Sequence, residues 1–285
     1  MSTRARTHKS MGPYNIVIFG ETGSGKSSLV NLIVGSSVAE VSPDVAECTT
    51  VSKDYIFSGQ DDVQYNLWDT PGLKEPQSKT DDQASAIAES YGLVQHLNDH
   101  GGADLLIYCI SGLKGVQVPS APPSTLQSHY RLFHEIFFPG VPLIIVVTHL
   151  DSRQEREKWW TRNEERLKRV EISSSGHTCV TAHSSSDSLE LEESANSLRM
   201  LLAQSSRKSR WGPSVVLERF RRSKEAARSL ASVTFSRWDM TVSERIMAGM
   251  LTARCGLEKD EVVALVKRMR APSRSVTPLP IINDG

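Results

Sequence analysis

The chain has no stretch approaching the roughly 18 consecutive apolar residues of a membrane-spanning helix, and Met1 to Gly12 lack the apolar run of a secretory signal. A cytoplasmic protein is expected, at most peripheral to a membrane. Cysteine is scarce as well: four in 285 residues, at 48, 109, 179 and 255, far apart and with no C-x-x-C pair. That spacing speaks against a disulfide framework or a zinc site and for reduced thiols. Net charge is absent overall, 33 basic against 33 acidic residues, but its distribution is uneven. Residues 1–205 hold 17 basic and 25 acidic side chains and 206–285 hold 16 and 8, so the two parts carry about −8 and +8. With 39% hydrophobic and 23% charged residues, the length suits one α/β domain of ordinary size plus an appendage.

What is present is most telling between Gly20 and Ser28. Residues Gly20-Glu21-Thr22-Gly23-Ser24-Gly25-Lys26-Ser27 follow the apolar run Tyr14 to Phe19 directly, which places a phosphate-binding loop where a strand hands over to a helix. Glycines at 20, 23 and 25 allow positive φ and close backbone approach, so successive N–H groups can turn inward around phosphates. Lys26 adds a point charge for the β- and γ-phosphates, and the Ser27 hydroxyl is a ligand for Mg²⁺. The helix that begins with Lys26, Ser27 and Ser28 directs its positive end at the anion.

The rest of 14–205 alternates strands and helices. The patterns predict a helix over Lys26 to Val34 ending at Gly35, and a hairpin of strands Val51 to Phe57 and Val63 to Trp68. Helical spacing recurs at Ile87, Tyr91 and Val94 and at Leu126, Tyr130, Phe133 and Phe137. The nearly all-apolar runs Leu105 to Ile110 and Leu143 to Val147 read as strands covered on both faces. A charged helix, Arg153 to Val170, a weaker strand near Thr178 to Thr181, and a helix opened by Asp187 with Glu190 three residues on complete the order. The expected fold is a three-layer α/β sandwich with a mostly parallel six-stranded sheet.

Two later motifs address the nucleotide. In Asp69-Thr70-Pro71-Gly72, at a strand end, the carboxylate can hold Mg²⁺ through water and the Gly72 amide can meet a γ-phosphate. A D-x-x-G alone is an ordinary turn, and only its position makes it informative. Thr148-His149-Leu150-Asp151 ends the most apolar strand, where a carboxylate can accept two hydrogen bonds from guanine N1–H and the 2-amino group. Adenine offers no donors there, so an aspartate would reject it.

On these residues the chain, over about 14–205, resembles the translation-factor-related P-loop GTPases. The loop at 20–27 looks like their first motif, Asp69 to Gly72 like the third, and Thr148 to Asp151 like a variant of the fourth. The wording of the loop and of D-T-P-G-L is most similar to septins, immunity-associated nucleotide-binding GTPases and chloroplast outer-envelope import GTPases. The resemblance implies GTP or GDP with Mg²⁺ as ligands, and it implies that Thr49, with Thr50 as the alternative, is the switch threonine on the metal. Lys26, Thr49 and Gly72 would then stabilise the reacting phosphate. It further implies that Thr181-Ala182-His183 supplies a backbone N–H, from Ala182, to guanine O6; the other reading is a helix-capping turn. Two departures stand out. His149 replaces the lysine packed on the base, and Leu73 stands where Ras-like enzymes keep a water-positioning glutamine, so slow hydrolysis is expected. Dimerisation across the nucleotide face is the remedy that the family implies.

Domains are expected at 14–205 (G domain) and 206–270 (basic helical extension), between disordered tails 1–13 and 271–285. The helix with Arg219, Arg221, Arg222, Lys224 and Arg228 can fold back on the acidic domain, meet an anionic membrane or a protein partner, or contact nucleic acid, the last least expected. Thr241 to Glu244 reads as a capping box, and Val262 to Met269 as a further helix. His96 and His100, four apart, read as solvent-facing rather than as metal ligands for want of a third ligand. In Trp159-Trp160, the packing reading puts Trp160, with Leu167, against the sheet; the other reading is a partner or membrane contact.

Overall fold

A computed structural model describes residues 13–41, 51–59, 63–74, 81–113, 115–118, 123–150, 152–182, 188–207 and 240–270. Strand β1 (Tyr14–Gly20) is buried along its whole length, as an apolar run without alternation requires, and leads into helix α1 (Lys26–Val34). The hairpin β2 (Lys53–Ser58) and β3 (Gln64–Asp69) follows, then α2 (Asp81–Asp99) and β4 (Leu105–Ser111). Helix α3 (Thr125–Tyr130), capped by Ser124 on the Gln127 amide, runs into a π-helical stretch, Arg131–Phe137. Next come β5 (Leu143–Thr148), α4 (Arg153–Arg169), β6 (Gly176–Cys179), α5 (Ser188–Arg207), α6 (Val242–Cys255) and α7 (Lys259–Met269).

Among the described residues the six strands form one sheet in the order β2-β3-β1-β4-β5-β6, parallel except for the β2–β3 pair. The chain leaves β1 toward β3 and later returns to β4 on the other side, so β1 ends at the topological switch point where open α/β sheets bind ligands. Register then places the ends of the strands side by side: Ile18 pairs with Asp69, Gly20 with Cys109, and Ser111 with Thr148. Helices α1 and α5 cover one face through Leu29, Ile33, Leu198 and Leu202. The other face is covered by α2, α3 and α4, with Phe19 stacked between Tyr108 and Phe133. Each such buried side chain contributes about 1.5–3 kcal/mol. The expected three-layer α/β P-loop GTPase fold is the observed one.

The C-terminal helices join this core. The capping box at Thr241 and Glu244 is present, with Glu244 N donating to Thr241 Oγ1 at 3.3 Å and Thr241 N to Glu244 Oε2 at 2.6 Å. Ile246, Leu251, Val262 and Val266 are buried in the same cluster as Leu93 and Phe137. Ser128 Oγ donates to Cys255 O at 3.0 Å and Arg131 Nη1 to Arg254 O at 3.1 Å. Residues 240–270 are thus packed on α2 and α3, whereas the basic segment ahead of them, the tails and Asp187 lie outside the described residues.

Two surface readings are sharpened. Trp160 packs against the sheet as expected, partly buried and stacked on His177 of β6, ring centroids 3.5 Å apart. Trp159 is the more deeply buried of the two, with Leu167, because 159, 163 and 167 recur every four residues on the inward stripe; Asn163 is buried between them. His100 is exposed, but His96 is half-buried against Trp68, and among the described residues no cluster of His, Cys, Asp or Glu could hold a metal ion. No described helix is long and apolar enough to cross a membrane.

Candidate functional site

The phosphate loop is held from three directions. A Cβ on Gly20 would lie 2.3 Å from the Cys109 carbonyl oxygen, so only glycine lets β1 turn over β4 there. From below, the Ser24 carbonyl accepts the Thr148 hydroxyl at 2.6 Å and the Cys109 thiol at 2.9 Å. From the side, the third motif is zipped onto the loop: Thr22 N donates to Leu73 O at 2.8 Å and Leu73 N to Gly20 O at 3.1 Å. With Ser24 N engaged by Glu21 O at 3.0 Å, the amides of Gly23, Gly25, Lys26, Ser27 and Ser28 have no acceptor among the described residues. They are the natural donors to an anion at the start of α1, where Gly25 sits at φ 85°.

Lys26 is buried and arches back, its Nζ 3.1 Å from Glu21 O and 3.4 Å from Gly20 O. A Cβ on Gly72 would come within 2.7 Å of Thr22 Cα and 3.1 Å of Lys26 Nζ, so the third motif's glycine touches both loop and lysine. Ser27 Oγ donates to Asp69 Oδ2 at 2.8 Å, while Asp69 Oδ1 is buried with no partner. Burial pushes the Asp69 carboxyl above its ordinary range, against the opposing pull of Lys26 and the Ser27 hydrogen bond. A hard-oxygen pair with one orphaned carboxylate atom fits Mg²⁺, which takes one or two protein oxygens and completes its shell with water and phosphate. Thr49 and Thr50, expected on the same ion, lie outside the described residues.

At the base end His149 occupies φ 56°, its Nδ1 3.1 Å from Thr148 Oγ1 and 3.3 Å from Ser111 Oγ. Thr148 is almost fully buried and serves from beneath the loop. Asp151 and His183 lie outside the described residues, and Ala182 is half-buried directly after Thr181. The fourth and fifth motifs do meet: Thr181 Oγ1 donates to Leu150 O at 2.7 Å, and Thr181 N to Ser194 Oγ at 3.0 Å. Arg156 of α4 donates to the same Thr181 hydroxyl.

Several contributors carry no sequence signal. Cys109 is legible only as an apolar strand residue, and burial pushes its thiol to about 11. Beyond the third motif, Lys74 N donates to Gln83 Oε1 at 2.7 Å, and Lys74 O lies 3.0 Å from His129 Nε2. Burial lowers His129 to about 4, so the ring is neutral and donates to that carbonyl. Leu73 is fully buried, its side chain in the core and its backbone in the bridge to Glu21.

Residues 15–149 match the family model described as 50S ribosome-binding GTPase. Among curated proteins, GTPase Era of Ehrlichia ruminantium is 44% identical over 62 residues, 22% of this chain and 20% of Era. GTPase Der of Campylobacter fetus is 27% identical over 150 residues, 52% of this chain and 28% of Der. The matched stretches thus span less than a third of these relatives' length. Among solved structures, Era in complex with MgGDPNP and nucleotides 1506–1542 of 16S ribosomal RNA superposes with a TM-score of 0.50 at 19% identity, covering 68% of this chain and 56% of that one. Sequence match and sheet order agree on the P-loop GTPase fold, and stretches of the chain are similar to GTPase Era and GTPase Der.

Proposed function

We propose that the protein binds guanine nucleotides and hydrolyses GTP slowly with Mg²⁺, acting as a molecular switch or an assembling G protein. The observation that carries this reading is the Ser27–Asp69 pair set beside Lys26, itself against the Gly72 turn. Lys26 and the unengaged amides of the loop from Gly20 to Ser28 hold the phosphates, and Gly72 offers its amide to the γ-phosphate. When bound, Mg²⁺ would neutralise phosphate charge, with Ser27 and Thr49 as its ligands and Asp69 reaching it through water. His149, Asp151 and Ala182 serve the base, Asp151 choosing guanine, while Thr148, expected with them, supports the loop from beneath.

Slow turnover follows from Leu73, whose buried side chain orients no water. The attacking water is then held by backbone, another side chain or a partner protomer; the last would be a homodimer across the nucleotide face, as the resemblance to septins and the immunity-associated group implies. Loss of the γ-phosphate would release Thr49 and Gly72 and relax 36–50 and 70–82. The same leucine favours a second reading, a nucleotide-gated scaffold with negligible turnover. The basic segment after 206 is proposed to fold back on the acidic domain, with an anionic membrane or a protein partner as the alternative; because the Era structure contains ribosomal RNA, an RNA arm belongs in any binding assay.

Calorimetry with Mg²⁺-GDP, a non-hydrolysable GTP analogue and ADP, combined with solution mass in each state, tests base choice and assembly together. Asp151→Asn should shift preference toward xanthosine nucleotides. Undiminished GTP selectivity in that variant would remove Asp151 from the base site, and absence of heat with any guanine nucleotide would end the proposal.

A further inference from the structure

The turn of the third motif presents one bare donor, and the residues that hold it belong to none of the motifs. From 70 to 74 the backbone offers four N–H groups, since Pro71 has none. Thr70 N donates to Ile18 O at 3.2 Å, Leu73 N to Gly20 O at 3.1 Å and Lys74 N to Gln83 Oε1 at 2.7 Å, which leaves the Gly72 amide with no acceptor among the described residues. It stands beside Lys26, because a Cβ on Gly72 would lie 3.1 Å from Nζ. Glycine has the widest backbone freedom, so the direction of that amide depends on how firmly its neighbours are fixed. The phosphate loop fixes the near side through Leu73. On the far side Lys74 is bracketed: Gln83 of α2 accepts from its N–H, and His129 of α3, with Nε2 at 3.0 Å, donates to its carbonyl. Both bracketing side chains are buried, and α3 is itself tied to the sheet by Tyr108, whose hydroxyl donates to Leu126 O at 2.8 Å.

We infer that His129 and Gln83 are positioning residues for γ-phosphate recognition, acting through Lys74 on the Gly72 amide. This rests on the guanine-nucleotide reading. A turn already held in place gives up little conformational freedom when a triphosphate arrives, so the bracket favours the arrangement that meets the γ-phosphate. The relaxation proposed to follow hydrolysis has to break it. The consequence is specific: without the bracket, triphosphate affinity falls, whereas a diphosphate, which lacks the group that Gly72 meets, binds nearly as before.

The test is calorimetry on the full chain with Mg²⁺, comparing a non-hydrolysable GTP analogue with GDP. In His129→Leu, which removes the donor, affinity for the analogue should fall about tenfold and affinity for GDP at most about threefold. Gln83→Met, which removes the acceptor at similar length, should shift the ratio in the same direction. His129→Gln, whose amide nitrogen reaches the place of Nε2, should retain the wild-type ratio, and a ratio as low as that of His129→Leu would overturn the inference. A merely structural role would weaken both nucleotides equally, so an unchanged ratio in either His129→Leu or Gln83→Met overturns it as well. If His129→Leu does not fold, Gln83→Met decides by the same ratio. A wild type that gives no heat with either guanine nucleotide refutes the guanine reading itself, and the inference with it, a result distinct from any ratio.

Discussion

The Ser27 hydroxyl in the first turn of α1 and the Asp69 carboxylate at the end of β3, 42 residues apart in the chain, meet at 2.8 Å. The serine occupies one carboxylate oxygen and leaves the other buried and bare. In the free protein that arrangement costs stability, since a desolvated carboxylate lacks its full set of partners.

Asp69→Asn should therefore raise the stability of the nucleotide-free protein, by about 1 kcal/mol, while abolishing most of the Mg²⁺-dependent stabilisation by GDP. The sign follows from the carboxyl being held above its ordinary 3.8: the wild type loses stability as pH rises through that raised value, and the amide removes the slope. Thermal melts at several pH values, with and without Mg²⁺-GDP, check both halves. A variant that melts lower without ligand refutes the cost.

Leu73→Gln should not create a faster GTPase. The side chain at 73 is fully buried, so a glutamine there meets apolar core instead of a reacting water and costs about 2–4 kcal/mol. Single-turnover hydrolysis and urea denaturation measure the two effects. A rise in turnover would place position 73 in the site after all.

Acid should act through His129. Its folded value of about 4 lies below the ordinary 6.5, so the unfolded chain binds the proton more readily. The stability it contributes is complete above 6.5 and is lost as pH falls toward 4, on the order of 3 kcal/mol. Denaturant midpoints for wild type and His129→Gln between pH 7 and 4.5 should converge on acidification. Parallel pH profiles would exclude the histidine as the source.

Deleting residues 240–285 should strip the apolar faces of α2 and α3 and leave an aggregating or strongly destabilised domain. Arg254→Ala, which breaks only the surface pair with Glu135 at 2.7 Å, should cost no more than about 1 kcal/mol. Urea midpoints compare the two. A truncated chain as stable as the full one would show that α6 and α7 are a dispensable appendage.

Much of the fold was readable in the residues. Unbroken apolar runs at 105–110 and 143–147 announce strands covered on both faces, and the observed strands Leu105–Ser111 and Leu143–Thr148 extend them by one residue. Helix α1 ends at Gly35 as expected, since a left-handed terminal residue is cheap only for glycine or asparagine. Strand β6 begins two residues earlier than its weak signal suggested, because its placement is set by pairing with β5 and its own sequence contributes little. Trp159 and Trp160 show the limit of pattern reading: adjacent identical residues on a charged helix differ in burial by a 100° rotation that only the docked helix reveals.

By itself, then, the sequence determined the glycine-rich loop, the strand order's alternation with helices and the residue types at the strand ends, because these depend on local backbone freedom and short-range periodicity. Tertiary structure alone decided what holds them in place. Cys109 and Thr148 beneath Ser24, Arg156 on Thr181, His129 on Lys74, and the C-terminal helices on α2 and α3 all join residues distant in sequence. Such contacts follow from sheet register and helix docking, and no local pattern encodes them.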